Sequence, residues 1–289
     1  MNKFILATDS SCDFLLEDCK KMEIYPAKLS YTIGEENFKD SMILEEQMEF
    51  YNKMRNGAVP RTSQVNAMEF FDFWRPFLEQ NLPILHLVIS SGLSGTYGSA
   101  LQAREMALKE FPNAVIYIVD SLGASSMVGI LLYKAVQMRD NGDSIETVAK
   151  WLEDNKLNVH AIYTTNDLQY LHRGGRLSKG SMIIANALGI RPILKVDAEG
   201  KLYSAEKVRG QANIKKRLAE IVSEFSVDSQ NQPFFISHSD AEEYAKECEA
   251  VITAKTKFKE THYCHIGATI GAHTGPGLVA FFFFGNKRK

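Results

Sequence analysis

Short apolar runs alternate with segments of helical spacing through the first half of the chain, and the runs end in clusters of hydroxyls and carboxylates. Residues 4–8, 84–89 and 114–119 are apolar stretches of strand length, the pattern of strands buried on both faces. After 84–89, Ala100, Ala103, Ala107 and Leu108 recur at helical spacing as far as Phe111 and Pro112. Further helices are predicted over 14–21, over 44–55 with a stop at Asn56-Gly57, over 125–139 and over 144–156. Residues 24–33 read as extended structure with a turn at Gly34-Glu35. A helix starting near Ala67 carries Phe70, Phe71, Phe73, Trp74 and Phe77, too many aromatics for one core stripe. Either some of them line a cavity or the helix packs between neighbours on several sides.

Beyond residue 157 the texture changes. Residues 159–165 form a strand, 168–172 a short helical run broken by Arg173-Gly174-Gly175-Arg176, and 178–188 a further helix. Strands over 190–196 and 201–208 are joined by Asp197-Ala198-Glu199-Gly200, a hairpin signal. Helices over 211–225 and 241–256 and strands over 233–237, 261–266 and 278–284 complete the series. The expected fold class is α/β: an N-terminal parallel-sheet α/β domain over 1–156, followed over 157–289 by an α+β domain with a largely antiparallel sheet.

Three polar clusters carry the candidate chemistry. Ser90-Ser91-Gly92-Leu93-Ser94-Gly95-Thr96 joins a buried strand to a helix, so free backbone N–H groups at the helix start lie beside four hydroxyls. That is a receptor for an anionic oxygen; a capping role for Ser94 or Thr96 is the alternative. Asp9 and Ser10 end a strand of the same kind and belong near this loop if the two strands are parallel neighbours, whereas Ser11 and Asp13 suit a helix cap. In Val59-Pro60-Arg61-Thr62-Ser63-Gln64 the proline sets an extended entry, and Thr62 or Ser63 can cap the aromatic helix. In residues 266–277, His273 stands among glycines and threonines rather than on an apolar face, which suits a backbone-lined site able to donate to the same anion.

Composition narrows the class of protein. The 289 residues suffice for about two domains, and 45% are hydrophobic, enough for ordinary cores. With 33 basic against 35 acidic residues the chain lacks the basic field that nucleic-acid binding requires. The start is too short and polar for a signal peptide core and no segment approaches membrane-spanning length, so a cytoplasmic location is expected. Cys12, Cys19, Cys248 and Cys264 show no C-x-x-C spacing; Cys12 and Cys19 read as half-buried helix residues. His262-Tyr263-Cys264-His265 has the residue types of a metal site. In a strand, however, His262 and Cys264 face one side and His265 the other, so no metal is expected.

The common catalytic motifs fail. Gly92-Leu93-Ser94-Gly95-Thr96 has threonine where a nucleophile elbow needs its second glycine. Neither a phosphate-binding loop nor a dinucleotide fingerprint is present. What remains is a set of neutral donors suited to holding a carboxylate.

Six ordered segments, together spanning about residues 4–285, carry a family resemblance. They are Ala7-Thr8-Asp9-Ser10-Ser11, Arg61-Thr62-Ser63-Gln64, Ile89 through Thr96, Val119-Asp120-Ser121, Tyr170 through Leu177 and Gly271 through Gly277. In these the chain resembles the DegV family of bacterial fatty-acid-binding proteins. The resemblance implies a two-domain carrier without turnover of its own, holding a long-chain fatty acid in a buried apolar tunnel and needing no cofactor. The carboxylate would be held by Thr62, Ser63, Ser94, Gly95, His273 and Thr274. It would be presented to a separate fatty-acid kinase that forms the acyl phosphate, with Arg173, Arg176 and Arg209 as the basic contact. The alternative for these arginines is a solvated turn or an internal ion pair. Transient exchange at a membrane surface fits such a cargo.

Physical chemistry favours the same division of labour. Each buried methylene contributes about 0.8 kcal/mol, so ~14 would supply on the order of 11 kcal/mol before association costs. Neutral donors then suffice to orient the head. Surplus apolar helix residues are the candidate tail contacts: Phe70, Phe71, Met127, Ile130, Leu131, Met182, Ile183, Ile184 and Ala187, each of which core packing explains equally well. The competing reading is an enzyme, either a serine acyl hydrolase or a small-substrate phosphotransferase, using Ser94 and His273.

Overall fold

A computed structural model describes residues 4–177 and 189–289. The first half runs β1 (Ile5–Asp9), α1 (Leu16–Lys21), β2 (Ile24–Ala27), β3 (Ser30–Ile33), β4 (Glu36–Lys39), α2 (Leu44–Arg55), β5 (Arg61–Ser63) and α3 (Ala67–Leu78), then β6 (Ile84–Val88), α4 (Thr96–Glu110), β7 (Ile116–Asp120), α5 (Ser126–Asp140) and α6 (Ile145–Asn155). The second half runs β8 (Val159–Thr164), α7 (Gln169–Arg173), β9 (Ile190–Val196), β10 (Leu202–Arg209), α8 (Gln211–Phe225), β11 (Pro233–His238), α9 (Glu242–Lys255), β12 (Glu260–His265), α10 (Ala268–Thr274) and β13 (Val279–Phe284).

Strands β2-β1-β6-β7 form a parallel sheet in that order, and β1 and β6 are buried at every position, as their unbroken apolar sequences require. A six-stranded sheet follows in the order β10-β9-β8-β13-β11-β12, antiparallel except between β11 and β12. Strand alternation divides its two faces. Phe281 and Phe283 of β13 pack with Leu218 and Val222 of α8 and Cys248 and Ile252 of α9, whereas Ala280 and Phe282 point to the opposite core. That opposite core is shared with the parallel sheet through α5, which is buried from Ser126 to Leu132 without a polar face. A segment buried on every side belongs between two layers, and the polar Lys134, Gln137 and Arg139 follow only beyond it.

Two expectations change. The extended stretch 24–33 is two strands in different sheets: β2 edges the parallel sheet, while β3 joins β4 and β5 in a small antiparallel sheet of its own. Cys12 and Cys19 are fully buried rather than half-buried because both pack into the shared core, and all four cysteines are free. The predicted helix 178–188 lies outside the described residues, with Met182, Ile183, Ile184 and Ala187. Among the described residues no helix is long and apolar enough to cross a membrane.

Candidate functional site

The carboxyl ends of β1 and β6 lie side by side, and a buried carboxylate fastens them. Asp9 accepts the amides of Ser11 at 3.0 Å and Ile89 at 2.8 Å, so the Asp9-Ser10 end of β1 does meet the serine loop. Burial raises its pKa against the lowering effect of those amides. The loop itself is internally braced. The Ser90 carbonyl accepts the amides of Leu93 and Ser94, both at 3.0 Å, its hydroxyl donates to the Gly200 carbonyl at 2.9 Å, and Asp120 accepts the amide of Ser91 at 3.2 Å. Ser94 is thereby presented at the start of α4, its hydroxyl 2.8 Å from that of Thr96 and accepting the Thr96 amide at 3.3 Å.

Beside this loop lies a cavity of about 400 Å³, within the range of small-molecule sites. Its apolar walls include Leu29, Ile89 and Leu93 from the first half and Val196, Leu202 and Leu278 from the second. Thr62, Ser63, Ser94, His273 and Thr274 all line it, bringing together the polar clusters of three distant stretches of chain. The Thr62 hydroxyl lies 2.7 Å from His273 Nε2. Register sets the position of Thr62, which pairs opposite Tyr31 across β3 and β5. His273 is carried by α10, a helix within the third polar cluster, to which the sequence assigned no element. Its N-terminal amide at Thr269 is accepted by Asp40 at 3.0 Å, a partner no local pattern reveals.

Burial, then the nearby Arg176 cation, lowers the His273 pKa to about 4, so the ring is neutral at pH 7. Its Nδ1 has no hydrogen-bond partner and faces the backbone of Gly174, where an added methyl would overlap it. A proton on Nδ1 would meet no acceptor there, which places the proton on Nε2. In that tautomer Nε2–H donates to Thr62, and the threonine hydroxyl is free to donate to another acceptor.

Other assignments shift. Gly95 does not line the cavity; the Gln64 side chain lies where a Cβ at Gly95 would stand, while its Nε2 donates to Ser99 Oγ at 2.8 Å. Thr274 lines the cavity but its hydroxyl donates to the Ile270 carbonyl at 3.2 Å. Phe70 and Phe71 pack in the core between α3, α4 and the parallel sheet, and Met127, Ile130 and Leu131 in the core around α5, so none of the five reaches the cavity. Their helices are sandwiched, and sandwiching consumed the apolar surplus. Arg176 lines the cavity, donating from Nε to the Leu93 carbonyl at 3.2 Å. Arg173 is exposed with its guanidinium 5.0 Å from the Tyr170 ring centre. Arg209 ends β10, about 23 Å along the strand from the cavity-lining Leu202.

Ser94 and His273 face one cavity through different partners, and no hydrogen bond joins them as a nucleophile and base. Residues that sequence reasoning passed over also line the site: Gln64, Ser125, Tyr163 and Thr269. Ser125 stood in the sequence as an ordinary helix start, yet it adopts φ 63° and donates to the buried Asp13. Desolvation raises the Asp13 pKa to about 7. His262 stacks on Phe235 with ring centres 4.6 Å apart, Cys264 enters the shared core, and His265 lies against Tyr51 and His238.

A family profile described as "Uncharacterised protein, DegV family" matches residues 3–286. A DegV domain-containing protein from Clostridium perfringens is 37% identical over 290 residues, covering 100% of both chains. Among solved structures, a DegV lipid-binding protein from Thermotoga maritima superposes with a TM-score of 0.87 at 29% identity, covering 99% of this chain and 100% of that one. A second Thermotoga maritima protein, described as revealing fatty acid binding function, superposes with a TM-score of 0.85 at 29% identity and the same coverage.

Proposed function

This chain belongs to the DegV family, and from that premise we propose that it binds a long-chain fatty acid in the cavity and presents the carboxylate to a separate fatty-acid kinase. The observation that carries the reading is the make-up of the cavity, aliphatic along its walls and furnished with uncharged donors where Thr62, Ser94 and His273 meet. Fatty acid binding in the Thermotoga maritima relative supports it. At about 0.8 kcal/mol per buried methylene the acyl chain supplies most of the affinity. The Thr62 hydroxyl, oriented by neutral His273, and the Ser94 hydroxyl then fix the head without an unpaired buried charge.

In this reading the chain is two domains meeting at 156/157, with the head-group donors drawn from both. Arg176, which lines the cavity, and Arg173, exposed at the end of α7 just before it, form the basic contact for the kinase, whereas Arg209 at the far end of β10 is too distant to share it. The test is organic extraction of protein purified from a bacterial host, followed by mass spectrometry. One fatty acid per chain is expected, and a blank extract contradicts the reading. Sustained hydrolysis of acyl esters that is lost in Ser94→Ala would replace it with the enzyme alternative.

A further inference from the structure

Arg288 lies just beyond β13, and its side chain is buried, with 8% of the residue exposed. Its guanidinium donates to three carbonyls on three separate loops: Asp197 at 2.8 Å, Leu122 at 2.9 Å and Lys156 at 3.3 Å. Its amide donates to the Leu157 carbonyl at 2.9 Å, fixing the backbone that delivers the side chain. A planar fork of donors is the only side chain that can span such a set, and burying a cation is tolerated only where the partners are held in place.

Two of the three loops lead to the serine loop. Asp197 begins the turn between β9 and β10, and its carbonyl also accepts the Gly200 amide at 3.2 Å; the Gly200 carbonyl in turn receives the Ser90 hydroxyl at 2.9 Å. The turn approaches closely because Gly200, at φ 72°, has no side chain to strike Ser90 and Leu122. The Leu122 amide is held at 3.0 Å by Asp120, whose same oxygen holds the amide of Ser91. Ser90 then sets the backbone of Leu93 and Ser94.

We infer that Arg288 is a positioning residue for the carboxylate end of the cavity, clamping the hairpin turn onto the serine loop and so holding Ser94 in place through Ser90. This rests on the reading of the cavity as a fatty-acid site. The clamp acts on a residue that faces the ligand without meeting the ligand itself.

The experiment loads full-length protein with a fluorescent polyene fatty acid and follows its release into excess oleate for Arg288→Ala, Ser90→Ala and the double variant. Arg139→Ala serves as a control, since Arg139 likewise donates to two loop carbonyls, Met22 at 2.8 Å and Glu23 at 2.9 Å, away from the cavity. Release about tenfold faster is expected from each of Arg288→Ala and Ser90→Ala. The double variant should release more slowly than the product of the two single effects, because the two share the Gly200–Ser90 contact. Arg139→Ala should release at the wild-type rate.

Unchanged release in Arg288→Ala, multiplying effects in the double variant, or equal acceleration in Arg139→Ala would each overturn the inference. Should Arg288→Ala not fold, Arg288→Lys is read by the same criteria, since a single ammonium cannot span the three carbonyls. Wild-type protein that takes up no polyene acid defeats the fatty-acid reading and this inference with it. Normal uptake with unaltered variants defeats the inference alone.

Discussion

Gly174 has an ordinary helical backbone, with φ −71° and ψ −11°, so alanine can stand there without conformational strain. The obstacle is His273. A methyl at position 174 would overlap the ring's Nδ1 and lie 3.2 Å from both Cγ and Cε1, so restoring ordinary contact requires the ring to retreat by about 1 Å. That retreat drives Nε2 into the Thr62 hydroxyl on the far side, already at 2.7 Å, so the ring must turn aside and the hydrogen bond is lost. Losing one such bond costs about 1 kcal/mol, and a Thr62 hydroxyl no longer aimed at the carboxylate costs a similar amount. Gly174→Ala should therefore weaken fatty-acid binding roughly ten- to thirtyfold. The assay is fluorescence titration of delipidated protein with a polyene fatty acid, repeated in a His273→Ala background. With no ring to displace, the alanine at 174 should there have no further effect. Affinity within twofold of wild type, or the same loss with and without His273, would refute the tautomer and orientation argument together.

Asp13 takes up its proton near pH 7 when folded and near the ordinary 3.8 when unfolded, so between those values the folded chain holds the extra proton. Its stabilising contribution, complete below the unfolded value, is lost as pH rises through 7, by about 1 kcal/mol between pH 6 and pH 8. Denaturant unfolding at those two pH values should show wild type losing that much more stability than Asp13→Asn, and parallel losses would exclude the assignment. Arg173→Ala, at an exposed position, should retain fatty-acid affinity within twofold while slowing phosphorylation of the bound acid by a cognate kinase about tenfold; unchanged kinetics would remove the docking role. Arg176→Ala should alter both measurements, because Arg176 also lines the cavity and holds the Leu93 carbonyl.

The parallel strands were legible because β1 and β6 are buried on both faces and say so in unbroken apolar runs. The serine loop was legible because a strand turning through glycines into a helix is a local event. What escaped sequence reasoning depends on partners far along the chain. Strands β3, β4 and β5 have three or four residues each, too few for a period to register, yet β5 carries Thr62. Helix α10 is mostly small residues, alanine, threonine and glycine around Ile270 and His273, and its first turn is held by Asp40, some 229 residues earlier. Phe70, Phe71, Met127, Ile130 and Leu131 lie away from the cavity for the opposite reason: apolar surplus on a helix marks burial without saying whether a cavity or a neighbouring helix does the burying.

Thr62 and Ser94 precede the junction between the two larger sheets and His273 follows it, so the pocket exists only while the halves are docked. Occupancy and docking are therefore one equilibrium seen from two sides: a molecule filling the gap braces the seam, and anything that prises the seam apart lets the molecule go.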